Sequence, residues 1–148
     1  LLSKPAGSLT RRIIRSVEPR FTAGVTGIIF NEAGELYVQK HRFWPGQAWG
    51  LPGGFLQRGE SPEQGIIREI AEETGLQVTE THLVEVSQDA RGHINILFMC
   101  KVADLTTITL QRLEVIESRF CSPDALPEPF SGPQRRLLDR TRARLPAN

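Results

Sequence analysis

Three glutamates, Glu69, Glu72 and Glu73, stand at positions i, i+3 and i+4 of the segment REIAEETG, residues 68–75. On a helix such positions are neighbours, and like charges there repel by roughly 0.2–0.5 kcal/mol per pair. Either water screens them on an ordinary surface face, or a cation belongs between them. Hard carboxylate oxygens at this spacing suit Mg²⁺ or Mn²⁺, whereas zinc prefers His and Cys. His41, His82 and His93 show no zinc spacing.

The surroundings favour the cation. LPGGF, residues 51–55, precedes the acidic segment and carries the pair Gly53 and Gly54. Glycine lets a backbone carbonyl or amide come close to a ligand. Glu60 lies just ahead of the segment. Arg68 adjoins Glu69 and stands four residues before Glu72, so it can pair with the carboxylates and hold their rotamers.

The element that must position these groups is a helix from Pro62 to Thr74. Ser61 serves as N-cap, Pro62 fits the first helical position, and Gln64 completes a capping box. Gly75 ends the helix. Ile66, Ile67, Ile70, Ala71 and Thr74 fall on one side, with the three glutamates on roughly the opposite arc. Gly65 breaks the pattern, since glycine inside a helix costs about 1 kcal/mol against alanine. Close packing against another backbone would explain it.

Strands surround this helix. Residues 21–30 (FTAGVTGIIF) and 35–41 (ELYVQKH) read as a pair joined by the turn NEAG, the second alternating as a half-buried strand. Residues 42–47 form a loop, and AWGLPGGF (48–55) a short strand broken by glycines. Residues 78–90 and 93–103 read as two more strands, 104–114 as an irregular connection and 115–122 as a last strand. GPQRRLLDRTRARL, residues 132–145, reads as a solvated amphipathic C-terminal helix. The implied fold class is α/β, a mixed sheet with helices packed against it.

With 148 residues and a net charge of +1, the chain suits one domain, and its charge selects no nucleic-acid partner. Cys100 and Cys121 are too few for a disulfide framework and point to a reducing, cytoplasmic compartment. Residues 1–20 are basic, with Leu9, Ile13, Ile14 and Val17 between arginines. Pro5, Gly7 and Pro19 interrupt this segment, so it reads as an N-terminal arm in preference to a membrane-surface helix. The oligomeric state is open, a homodimer being one option.

GFLQRGESPEQGIIREIAEETGL, residues 54–76, resembles the Nudix hydrolase signature. Gly54, Glu60, Arg68, Glu69, Ile70, Glu72, Glu73, Gly75 and Leu76 meet every fixed position of that pattern. The flanks look similar from about Phe21 to Leu126. The resemblance implies the Nudix fold, a mixed β-sheet sandwiched between α-helices, over residues 21–148. It also implies hydrolysis of the pyrophosphate in a nucleoside diphosphate linked to some group X, with Mg²⁺ as cofactor and Mn²⁺ able to substitute. By position, Glu69, Glu72, Glu73 and the Gly53 carbonyl would hold metal, with Glu60 reaching the cluster through water and Arg68 by a salt bridge. The general base would be a glutamate of the motif or of a later loop. Glu114, at a loop end, is preferred over Glu117.

Trp44 is the best aromatic for stacking on a base, and Trp49 reads as core. Arg42, Arg91 and His93 are candidates for phosphate or X, although surface charge or strand packing is the reading preferred for each. Family marks for ADP-ribose or dinucleoside polyphosphates are absent at Arg91, Gly92, His93 and Ile94, so X stays open. The rival reading is a non-catalytic Nudix domain that senses a nucleotide. The complete set of glutamates argues against it.

Overall fold

A computed structural model describes residues 19–145 of the chain. The basic arm therefore lies outside the described residues, except for Pro19 and Arg20. Seven strands and two helices follow in the order β1 (Thr22–Ile28), β2 (Leu36–His41), β3 (Trp49–Gly50), β4 (Gly53–Phe55), α1 (Pro62–Thr74), β5 (Val78–Gln88), β6 (His93–Val102), β7 (Val115–Cys121) and α2 (Gly132–Thr141).

The strands form two sheets. One has the order β4-β1-β6-β5 and is mixed, because β1 and β6 run parallel while the other pairs are antiparallel. The second, β3-β2-β7, is antiparallel. The broken strand expected over residues 48–55 is thus two strands in different sheets. Leu51 and Pro52 carry the chain from one sheet to the other.

Alternation along β1 and β6 divides the core. Val25, Ile29, Ile96, Phe98 and Cys100 pack with Ile66 and Ile70 of α1. Ile28 and Leu97 face the other way, onto Trp49, Leu51 and the α2 leucines Leu137 and Leu138. Each helix therefore seals one face, which is the sandwich that the sequence implies. Burying each α1 isoleucine contributes about 1.5–3 kcal/mol. Gly27 is where β1 meets α1 most closely, since a Cβ there would lie 2.9 Å from Ile70 Cδ1.

Three further expectations need correction. β1 and β2 are not a strand pair: they lie in different sheets, and their segments meet at an isolated Phe30–Leu36 bridge. β2 is buried on both faces, because it is the central strand of its sheet: Tyr37, Gln39 and His41 are as enclosed as Leu36 and Val38. The α2 region is not simply solvated either. Arg140 and Arg144 both reach Glu85 on β5, at 2.6 and 2.8 Å, and fasten the C-terminal segment to the sheet edge.

Candidate active site

Helix α1 is set in phase by its ends. Ser61 Oγ accepts the Gln64 N–H at 3.1 Å, and Gln64 Oε1 accepts the Ser61 N–H at 2.8 Å. Gly75 ends the helix at φ +71°, a left-handed conformation that glycine adopts without penalty. The buried face is Gly65, Ile66, Ile70, Glu73 and Thr74. It is rotated from the expected face: Ile67 and Ala71 are exposed, and Glu73 is buried at 4% exposure. The polar partners available to Glu73 explain the rotation.

Those partners are on β2 and β4. The Gln39 side-chain amide and the Gly53 backbone N–H both donate to Glu73 Oε2, each at 2.9 Å. Burial still pushes the Glu73 carboxyl up to about 8 against these two bonds, and the charges of Glu69 and Glu114 push the same way. Glu69 is raised by burial too, opposed by Arg68.

Arg68 is the hub of the outer cluster. Its guanidinium donates to both oxygens of Glu60 (2.7 and 3.0 Å), to Glu69 (2.8 Å), to Glu72 (3.3 Å) and to the Phe55 carbonyl (3.1 Å). Hydrogen bonding to Arg68 holds the Glu60 carboxyl down at about 2. Glu60 thus meets Arg68 directly and reaches the other carboxylates through it. Gly65 makes room for this cluster: a Cβ there would lie 2.5 Å from Leu56 Cδ2 and 3.1 Å from Glu60 Oε1. Side chains fill that space, and no other backbone does.

Glu114 arrives from the other end of the chain. The connection before β7 is tied to the last turn of α1, with Thr109 N–H on the Thr74 carbonyl and Gln111 N–H on the Glu73 carbonyl. A register shift between Lys40 and His41 then lets the Arg42 N–H take the Glu114 carbonyl at 2.8 Å. Glu114 and Glu73 consequently line one cleft of ≈ 350 Å³, together with Gly53, Gly54 and Trp44. Glu117 instead faces Lys40 across the strand pair and bonds Arg119 outside the cleft.

The other expected residues divide. Trp44 lies flat on His41, with centroids 3.7 Å apart, and forms a cleft wall. Trp49 is in the core. Neither Arg42 nor Arg91 lines the cleft: the Arg42 guanidinium bonds the Arg112 carbonyl, and Arg91 is exposed at the β5–β6 turn. His93 does line it, fixed by Thr22 Oγ1 at 2.7 Å and edge-on to Phe55. Sequence reasoning missed Gln39, His41, Phe55, Asn95 and Gln134. Polar Gln39 and Asn95 inside apolar strands were the available signals. Gln134 gave none, because its position depends on how α2 docks.

The donor set has the chemistry for a hard divalent cation: the Glu69 and Glu73 carboxyls are both raised by burial and by the nearby charge of Glu114, and Glu72 stands exposed beside them on Arg68. Among the described residues, no three Asp, Glu, His or Cys side chains converge on one point as they stand. A cation would have to draw Glu69 and Glu72 toward Glu73.

Comparison with known proteins agrees with this architecture. The NUDIX domain family model matches residues 20–141. A MutT-like protein of Streptomyces ambofaciens is 36% identical over 84 residues, covering 56% of this chain and 53% of that protein. An ADP-ribose pyrophosphatase of Methanocaldococcus jannaschii is 37% identical over 83 residues, covering 53% and 49%. The chain thus spans about half the length of these curated relatives. The NUDIX domain of Shewanella oneidensis NrtR, solved in complex with ADP ribose, superposes with a TM-score of 0.74. It covers 97% of this chain and 100% of that one, and at 22% identity the likeness concerns the fold. With the family model spanning most of the chain and the complete motif running from Gly54 on β4 through α1 to Leu76, this chain belongs to the Nudix family.

Proposed function

We propose that the chain is a Mg²⁺-dependent pyrophosphohydrolase that cleaves a nucleoside diphosphate linked to X into a nucleoside monophosphate and phosphoryl-X. The observation that carries this reading is Glu73: a carboxylate 4% exposed at the cleft, with Glu69 and Glu114 adding negative charge beside it. Such an arrangement is unfavourable alone and becomes favourable around a cation.

Glu69, Glu72, Glu73 and the Gly53 carbonyl would hold the metal. Divalent cations bound there neutralise pyrophosphate charge and lower the pKa of a water. Arg68 fixes Glu69, and Glu60 fixes Arg68. Glu114, exposed at the cleft mouth, takes the proton from the attacking water. Trp44 and Phe55 offer aromatic surface for a base. Phosphoryl transfer depends chiefly on such positioning and charge stabilisation.

ADP-ribose is the first substrate to test, because a relative carries that activity in its name and a structural neighbour binds the compound. (d)NTPs are the other class. Screening both with Mg²⁺ and Mn²⁺ and identifying products decides the matter. AMP plus ribose 5-phosphate from ADP-ribose supports the reading, and no turnover of any nucleotide with either metal rejects it.

A further inference from the structure

Tyr37, Gln39 and His41 occupy alternate positions of β2 and face the same side. All three are buried, at 0%, 0% and 5% exposure, beside the apolar residues that pack α1. Polar groups in such a place must be paired, and every one here is. The Tyr37 hydroxyl donates to Gln39 Oε1 at 3.2 Å. The Gln39 amide nitrogen sits 2.9 Å from Glu73 Oε2 and 3.4 Å from His41 Nε2. With the Tyr37 proton on Oε1, the nitrogen end must point toward Glu73, so the amide can be oriented in only one way. His41 stacks on the cleft residue Trp44, which completes a path from the sheet interior to the cleft wall.

We propose that Gln39 is a positioning residue for the carboxylate of Glu73. Gln39 and the Gly53 N–H both occupy Oε2, which leaves Oε1 as the oxygen available to a ligand in the cleft. Tyr37 positions Gln39 in turn. The inference rests on the proposed role of Glu73 in holding a divalent cation, and it adds a requirement in the sheet that the acidic motif does not contain. A carboxylate with one oxygen fixed loses little rotamer freedom when it binds, which is how outer partners of metal ligands tune affinity.

The test compares wild type, Gln39→Leu and Tyr37→Phe in three measurements: Mn²⁺ affinity by electron paramagnetic resonance, thermal melting, and initial rate against Mg²⁺ concentration. Gln39→Leu keeps the side-chain size and removes the donors. The expected result is Mn²⁺ binding weakened by about 10-fold or more, with the Mg²⁺ requirement raised in parallel. Tyr37→Phe shifts both the same way by less. A role confined to packing would lower the melting temperature and leave Mn²⁺ affinity within twofold of wild type, and that result overturns the proposal. If Gln39→Leu does not fold, Tyr37→Phe decides by the same criterion. Wild-type protein that binds no Mn²⁺ would overturn the metal role of Glu73 along with this proposal. Wild-type binding with unaltered variants overturns this one alone.

Discussion

The Glu69 carboxylate occupies the space where a side chain at Gly54 would begin. A Cβ on Gly54 would lie 2.5 Å from Glu69 Cδ and Oε1 and 2.7 Å from Oε2. The first glycine of the motif is therefore spatially tied to a glutamate fifteen residues later, because β4 runs past α1 at this point.

Gly54→Ala follows from this contact. The obstructed group is the end of a flexible side chain, so the fold survives and Glu69 is displaced. Activity is expected to fall roughly 10–100-fold, the range for disturbed metal-ligand orientation, with little change in melting temperature. Rates and melting curves of the single variant check both halves.

Gly53→Ala should behave in the opposite way. Gly53 has φ +153°, and a Cβ there would lie 2.1 Å from the Val25 carbonyl oxygen and 3.0 Å from Thr26 Cα. Backbone cannot move aside as a side chain can. A stability loss of about 2–4 kcal/mol is expected in urea unfolding. A fully stable Gly53→Ala would mean that the β1–β4 approach is looser than described.

Glu69→Gln and Glu73→Gln should each reduce turnover by at least ~100-fold, beyond the effect typical of outer-shell changes. Circular dichroism should remain native. Glu73→Gln carries a second expectation. It replaces a buried carboxylate pushed up to about 8, so in metal-free buffer at pH 8.5 this variant should melt no lower than wild type. Near-normal rates in both variants would reject the assignment.

Much of this site was legible beforehand. Ser61, Pro62, Gln64 and Gly75 marked the ends of α1 because capping is local chemistry. The spacing of Glu60, Arg68 and Glu69 implied one cluster, and Arg68 gathers it. The side of the helix that Glu73 shares was not legible, since its burial depends on Gln39, 34 residues earlier, and on Gly53. Arg42 and Arg91 stand outside the cleft lining, a placement that a cation in a loop does not reveal in sequence. Glu114 was legible as a loop acid before a strand, but what brings it to Glu73 is the tether of Thr109 and Gln111 to α1.

His41 gives a pH dependence. Burial pushes its imidazole down to about 4, against a hydrogen bond with the Leu51 backbone. Its folded value lies below the unfolded value, so its contribution to stability is complete above about pH 6.5. That contribution is lost as pH falls toward 4, about 3 kcal/mol in all. Glu73, raised in the fold, acts with the opposite sign between about 8 and 4.5. Comparing wild type with His41→Asn isolates the histidine. The variant's urea-derived stability should fall less between pH 6.5 and 4.5, and equal slopes would contradict the neutral, buried His41.

The claim on which the account rests is that Glu69 and Glu73 hold a divalent cation against a pyrophosphate. Crystals grown with Mn²⁺ and a non-hydrolysable nucleoside diphosphate derivative, measured at the manganese edge, test it most directly. The account predicts an anomalous peak with oxygens of Glu69 and Glu73 at about 2.1 Å, a distance ordinary for small hard cations. Clear density for both side chains with no peak near either, in crystals that contain the nucleotide, would contradict it.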